Sequence, residues 1–312
     1  MLVLGGAGFI GRHVVEALLR RQCQVSVGSR RTARIDARLS PELRACPRVT
    51  ADVGLLLRSS EWSEVIAGAD VVVNCVGILR ERGRQTYQRV HHHGPAALAG
   101  ACAASGVALV HVSALGLAQD SRSGFLRSKQ LGEAAIQSSG VGGCIVRPSL
   151  LDGEGGFGAR WLRWLAMLPV HAFPADATGR IAALHVEDLG EAIATLALRA
   201  PDAADREFEL GGLRDFTLAE YLAELRGPGR RPAWRLPIPG WMARTASHLC
   251  DLVHFSPFSY GHWELLRRDN RPLRNRLVEL LGIAPRALGS RALTPELLAE
   301  VACSSAATRA AR

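Results

Sequence analysis
Five short apolar runs punctuate the first half of the chain: MLVL at its start, QVSV (24–27), DVVVNCV (70–76), VALVHVS (107–113) and GCIVRPS (143–149). Each is nearly continuous in apolar residues, the pattern of strands covered on both faces. Between them HVVEALLRR (13–21), GPAALAGACAAS (94–105) and LRSKQLGEAAIQSS (126–139) have helix-forming composition. Strands and helices in alternation predict an α/β fold, a doubly wound parallel sheet of the Rossmann type.

The rhythm changes near residue 150. Gly- and Pro-rich loops follow, then a Trp-containing helix over 159–168 and a segment, RIAALHVEDLGEAIATLAL (180–198), that reads as strand, turn and helix returning to the sheet. The expected organisation is a Rossmann domain over 1–150, a smaller C-terminal α/β lobe over 151–302, and a polar, disordered tail over 303–312. Within the lobe, 240–266 carries Trp241, Met242, Leu249, Leu252, Val253, Phe255, Phe258, Trp263 and Leu265 among Arg and His. An apolar helical face of this kind usually packs into a core. A cap over an apolar ligand, a protein partner, or shallow contact with an acidic membrane surface are the alternatives it leaves open.

Candidate chemistry begins at GGAGFIG, which sets Gly5, Gly8 and Gly11 in GxxGxxG spacing between a strand and a helix. Glycine lets the backbone turn tightly and approach a pyrophosphate, while the first amides and the dipole of the helix attract its charge. Dinucleotide binding is expected from that placement. At the end of the second strand an acid would accept from the 2′-hydroxyl of NAD. The chain reads VGSRRTAR there, with Ser29, Arg30 and Arg31 and no carboxylate before Asp36. An arginine fork suits a 2′-phosphate, so NADP(H) is expected ahead of NAD(H) and the first domain is expected to bind it.

Further along, ADV (51–53), NCVGIL (74–79), VHVSALG (110–116), FLRSKQLGE (125–133), IVRPSLLDGEG (145–155) and LHVEDLGEAI (184–193) follow in order. Over about residues 1 to 200 this set resembles the extended and atypical short-chain dehydrogenase/reductase superfamily, in its NAD(P)-dependent epimerase/dehydratase-like branch. VNCVGIL, VHVSALG and LLRRDN (265–270) further resemble the NADPH-binding accessory subunit of respiratory complex I and its bacterial relatives.

The resemblance implies cofactor contacts at Gly5, Gly8, Phe9, Ile10 and Gly11 in the turn, and at Ser29, Arg30 and Arg31 by the adenosine ribose. It also implies contacts at Asp52 and Val53 beside adenine, Val76 and Gly77 along the cofactor, and Pro148 and Ser149 near the nicotinamide. Ser113 stands where the family keeps its catalytic serine. Lys129 stands where a lysine lowers the pKa of a catalytic tyrosine and holds the nicotinamide ribose. Residues four apart share a helix face, which is why that pair needs its spacing. The tyrosine position holds Phe125. Phenylalanine keeps the ring and loses the hydroxyl, and loss of such a group typically costs about 10² to 10⁴ in rate.

Composition sharpens one point and removes others. The 38 lysines and arginines include a single lysine, Lys129. Where arginine serves everywhere else, the compact ammonium is expected to be required for ribose hydroxyls, which a planar guanidinium fits poorly. The net charge of +9 is spread along the chain without a basic block and interleaved aromatics, so no specific nucleic-acid binding is expected. Seven scattered cysteines fit neither a disulfide framework nor a zinc site, and imply a reducing compartment. His91, His92 and His93 are adjacent and point in different directions, so they do not share a metal. His111, on a strand, is expected to be buried and hydrogen-bonded.

The start of the chain reads as a strand entering a glycine turn, not as a leader, and no apolar run reaches membrane-spanning length. The expected location is the cytoplasm, with contact at the inner membrane face open through 240–266. Two classes of function follow. One is an NADP(H)-binding protein with weak or absent reductase chemistry, serving assembly, stability or redox sensing. The other is an active oxidoreductase, epimerase or dehydratase on a carbonyl or nucleotide sugar, taking its proton from Ser113, His185 or water held by Lys129. A small-molecule substrate and a protein complex both remain open as partners.

Overall fold
The computed structural model describes residues 1–30, 39–202, 205–227, 229–253 and 258–288. Arg31, Phe255 and the 303–312 tail lie outside the described residues, as do the side chains of Leu252 and Val253. Strands β1 (Leu2–Leu4), β2 (Ser26–Ser29), β3 (Arg48–Thr50), β4 (Val71–Asn74), β5 (Ala108–Val112) and β6 (Gly143–Pro148) form one parallel sheet in the order β3-β2-β1-β4-β5-β6. A seventh strand, Glu207–Leu210, pairs in parallel with β6 at the far edge.

Both faces of this sheet are covered. Val3, Val27, Val73, Val110 and Val146 meet the helices Gly11–Arg20 and Val186–Arg199. Leu2, Leu4, Val72, Leu109 and Ile145 meet Gly94–Ser105 and Gly124–Ser138, with Trp62 beneath them. Successive residues of a strand point to opposite faces, so burial on both sides removes the polar alternation and produces the continuous runs seen in the sequence. The strand order reverses between β1 and β4, and ligands in such sheets bind at the carboxyl ends of the strands beside that reversal.

Strand β3 has no strong sequence signal: RVT is three residues long and partly exposed. The 180–198 segment also behaves differently from expectation. Its strand, Leu184–His185, pairs with Leu151–Asp152 in a separate two-stranded sheet. Its helix, Val186–Arg199, packs on Gly11–Arg20, and the strand that joins the main sheet is Glu207–Leu210.

The smaller lobe has its own core of Ile181, Phe216, Tyr221, Leu222 and Leu225. It contains the strand pair Val170–Pro174 and Trp234–Ile238 and the helices Phe157–Met167, Leu218–Arg226, Gly240–Val253 and Tyr260–Leu266. The core face expected for 240–266 holds at Trp263, which is buried, and needs correction over the Gly240–Val253 helix. Ala243 and Ser247 are buried, while Trp241 is 72% and Leu249 60% exposed. The helix docks through its small residues, which lets it approach closely and leaves its large apolar ones outside.

Candidate functional site
The glycine turn sits at the carboxyl end of β1, next to the reversal point. Gly5 adopts φ +72°, and its amide donates to the Gly28 carbonyl at 2.8 Å. A side chain on Gly11 would collide with the Gly5 carbonyl, so the turn closes only with glycine there. The Gly11–Arg20 helix has no side-chain cap and no acid in its first turn. Among the described residues, the amides of Phe9, Ile10 and Gly11 find no acceptor. Free amides at a helix start are what a pyrophosphate requires. Val76 packs against Gly5, exposed Gly77 follows it, and Gly156 lies against the Phe9 ring while Arg12 donates to the Glu154 carbonyl. The 145–155 segment therefore continues into a loop beside the turn.

At the carboxyl end of the neighbouring strand, Ser29 closes β2 and Arg30 is exposed beyond it. The Asp52 carboxylate accepts from the Gly54 amide at 3.0 Å and from Gln85 Nε2 at 2.9 Å, and Val53 is fully buried. Ser149 is also buried, and its hydroxyl is engaged: it donates to the Asn270 carbonyl at 2.6 Å and accepts from the Ala182 amide at 3.1 Å. Its neighbour Pro148 ends β6.

Phe125 and Lys129 lie one turn apart on Gly124–Ser138, and the Lys129 ammonium is 5.7 Å from the Phe125 ring centroid. Burial lowers the Lys129 pKa to about 8, while Glu133 pulls it the other way. Burial first, and then the Lys129 charge, push His111 down to about 3 and His91 well below the ordinary imidazole range. Both are neutral at pH 7, and their partners define the tautomers. Asn74 Oδ1 accepts from the Val76 amide, which turns Asn74 Nδ2 toward His111 Nδ1 at 3.1 Å. His91 Nε2 accepts from the Ile78 amide at 3.1 Å, so its Nδ1 donates to Ser128 Oγ, which donates to the Phe125 carbonyl. Hydrogen bonds thus tie the β4 loop to the helix bearing Phe125 and Lys129. They also confirm His111 as buried and hydrogen-bonded.

The Phe125 ring is enclosed by aromatic rings. Tyr87 and His91 meet it edge-on at 5.6 and 5.4 Å, and His262 stacks on it at 5.8 Å. Burial lowers the His262 pKa to about 4, with Arg80 adding to the effect. The Tyr87 hydroxyl is engaged with the Leu79 carbonyl at 3.0 Å. Ser113 is 6% exposed and its Oγ has no partner. A buried hydroxyl without a partner costs about 1–3 kcal/mol, which a substrate oxygen would recover. His185 caps Val186–Arg199, its Nδ1 accepting from the Glu187 amide at 3.3 Å. Among the described residues no cluster of His, Cys, Asp or Glu is placed to hold a metal.

A model of the NAD dependent epimerase/dehydratase family matches residues 1–211. The chain belongs to that family. Among curated family relatives, the ceramide reductase of Caulobacter vibrioides is 31% identical over 190 residues, covering 60% of this chain and 57% of that protein. The NADH dehydrogenase (ubiquinone) 1 alpha subcomplex subunit 9, mitochondrial, of Rattus norvegicus is 27% identical over 269 residues, covering 82% of this chain and 68% of that one. The fold is also that of a nucleoside-diphosphate-sugar epimerase from Staphylococcus aureus, at TM-score 0.70 and 17% identity, covering 93% of this chain and 98% of that one. A UDP-glucose 4-epimerase from Thermus thermophilus, in complex with NAD, matches at TM-score 0.57 and 22% identity, covering 85% of this chain and 96% of that one. This epimerase/dehydratase member therefore has the family's NAD(P)-binding Rossmann fold, with complex I subunits and a reductase among its relatives.

Sequence reasoning missed the residues that come to this site from the smaller lobe. The Glu264 carboxylate accepts from the amides of Arg122 and Ser123 at 2.9 Å, fixing the start of the Phe125 helix. Arg80 pairs with Asp251 and donates to the Phe258 carbonyl. YGHWELL (260–266) has no local signal for these contacts, because they depend on a fold-back of the chain.

Proposed function
We propose that this epimerase/dehydratase family member binds NADP(H) in the crevice at the carboxyl ends of β1 and β4 and has weak or no reductase chemistry of its own. What supports this is Phe125, which by the family resemblance stands in for the catalytic tyrosine: its ring lies in an aromatic enclosure with Lys129 one turn further along the helix. When bound, the cofactor supplies or accepts hydride. The amides of Phe9, Ile10 and Gly11 would hold the pyrophosphate, and Ser29 and Arg30, with Arg31, the 2′-phosphate. Gly5, Gly8, Val76 and Gly77 would form the wall behind it, Asp52 and Val53 the adenine end, and Pro148 with the Ser149 backbone the nicotinamide end. Lys129 would hold the nicotinamide ribose, and Ser113 Oγ would donate to a substrate oxygen.

No group at position 125 can give that oxygen a proton or take one from it. Loss of the step leaves binding intact, and binding alone stabilises: ligand at a hundred times its Kd contributes about 2.7 kcal/mol. The nucleotide then serves stability, assembly into a complex, or redox sensing, and the likeness to complex I subunits supports assembly. The free, scattered cysteines of the described residues suit a reducing compartment, the cytoplasm. The 1–150 portion would act as the nucleotide domain and the later lobe as the substrate or partner side. Turnover of NADPH with carbonyl or nucleotide-sugar substrates at about 1–10³ per second would refute this function.

A second function is favoured by the unpartnered Ser113 hydroxyl and by the likeness to a ceramide reductase. It is an active oxidoreductase or epimerase/dehydratase whose proton comes from Ser113 or from water held by Lys129. An inactive Ser113→Ala variant beside an active parent would establish it.

A further inference from the structure
Among the described residues fifteen large apolar side chains are exposed, and nine of them lie in two segments of the smaller lobe, 157–170 and 234–249. Phe157, Trp164 and Met167 recur at helical spacing along one outer face of Phe157–Met167, together with exposed Arg160. That helix leads into Val170, which stands opposite Trp234 in the parallel strand pair, so their side chains share a sheet face with Leu236. Trp234 is 82% exposed. The Gly240–Val253 helix packs against the same strand pair and places Trp241 and Leu249 outward. The far end of that helix is tied down by Asp251, which pairs with Arg80 and accepts from the Tyr260 amide at 3.0 Å. Its outer face is thereby held in a fixed orientation.

Apart from Asp251, which Arg80 neutralises at the far end of the helix, the charge on these elements has one sign. Residues 156–175 and 225–250 contain seven arginines and no carboxylate. Arg160, Arg230, Arg231, Arg235 and Arg244 are exposed, and among the described residues none is within ion-pairing distance of a carboxylate. Tryptophan prefers the boundary between headgroups and hydrocarbon, and basic residues near an anionic surface each contribute about 1 kcal/mol of attraction. A face combining the two, on helices that do not span, matches an interfacial contact. Among the described residues no helix is long and apolar enough to cross a membrane.

We infer that this face of the smaller lobe binds the surface of an anionic lipid bilayer, with Trp164, Trp234 and Trp241 inserted at headgroup depth and the arginines on lipid phosphates. The inference does not depend on nucleotide binding or on turnover. Its test is co-sedimentation of the full chain with phosphatidylcholine vesicles, with and without about one third phosphatidylglycerol, alongside tryptophan emission. The chain should bind the anionic vesicles, with blue-shifted emission that added salt weakens, and not the neutral ones. Trp234→Ser with Trp241→Ser, and separately Arg160→Glu with Arg244→Glu, should each weaken binding by about tenfold or more while leaving thermal unfolding unchanged. No binding to anionic vesicles, equal binding to both kinds, or unimpaired binding by folded variants would overturn it. So would a solution dimer that the tryptophan substitutions dissociate, since a second copy would then be the occupant.

Discussion
The ring of His262 lies stacked on that of Phe125, with centroids 5.8 Å apart and planes 24° from parallel. The smaller lobe thus reaches the ring of the Phe125 helix. A stacked aromatic pair is worth about 0.5–1.5 kcal/mol beyond the area it buries. His262→Ala should therefore lower stability by about 1 kcal/mol, and Phe125→Ala, which empties an enclosed site, by about 3–5 kcal/mol. A double-mutant cycle from denaturant unfolding should return a coupling of about 0.5–1.5 kcal/mol. Strict additivity would show that the rings do not interact.

Acid should destabilise the protein through its buried histidines. Burial holds His13 at about 4, His111 at about 3 and His262 at about 4, and keeps His91 well below the usual range. In the unfolded chain these imidazoles take up protons near pH 6.5. Between 6.5 and the folded values the unfolded state binds more protons, so stability rises with pH there and is lost as pH falls. The melting temperature should drop steadily from pH 6.5 toward pH 4, and His111→Asn should flatten that slope. A flat profile in the parent would contradict the neutral, buried assignment.

Lys129 titrates in the opposite part of the range. With a folded pKa of about 8, its ammonium is present at pH 7 and disappears as pH rises through that value. If the ammonium holds the nicotinamide ribose, NADPH affinity measured at a series of pH values should fall above about pH 8. Lys129→Met should bind more weakly at pH 7 and show no such dependence. Parallel profiles for parent and variant would remove Lys129 from the cofactor site.

A methyl group at Gly11 would run into the Gly5 carbonyl. Gly11→Ala should force the turn open, at a cost of about 1–3 kcal/mol in unfolding experiments, and abolish NADPH binding. Gly140→Ala offers a contrast, since its surroundings are open and its φ of +72° leaves only backbone strain. That variant should keep NADPH binding.

The sheet and the glycine turn were legible because burial on both faces leaves unbroken apolar runs, and because a phosphate turn needs glycine at fixed spacing. Phe125 and Lys129 were singled out by the family resemblance, and the structure shows them one turn apart on the same helix, as a spacing of four requires. His262, Glu264 and Arg80 were not. They meet the site through folding of a distant segment, and no periodicity encodes which residue arrives at which ring. The outer face of Gly240–Val253 was misleading for a different reason: both sides of the helix contain nonpolar residues, and the small pair Ala243 and Ser247 makes the closer approach. Volume, not hydrophobicity, decides which side is buried there.

NADPH fluorescence followed over time, with protein and a panel of carbonyl and nucleotide-sugar compounds present, tests the proposed nucleotide binding and the proposed loss of the proton donor together. The parent protein should give a saturable enhancement that persists, and Phe125→Tyr should give the same enhancement followed by decay as the cofactor is oxidised. Absence of any enhancement in the parent, or its decay at an ordinary enzyme rate, would contradict the account.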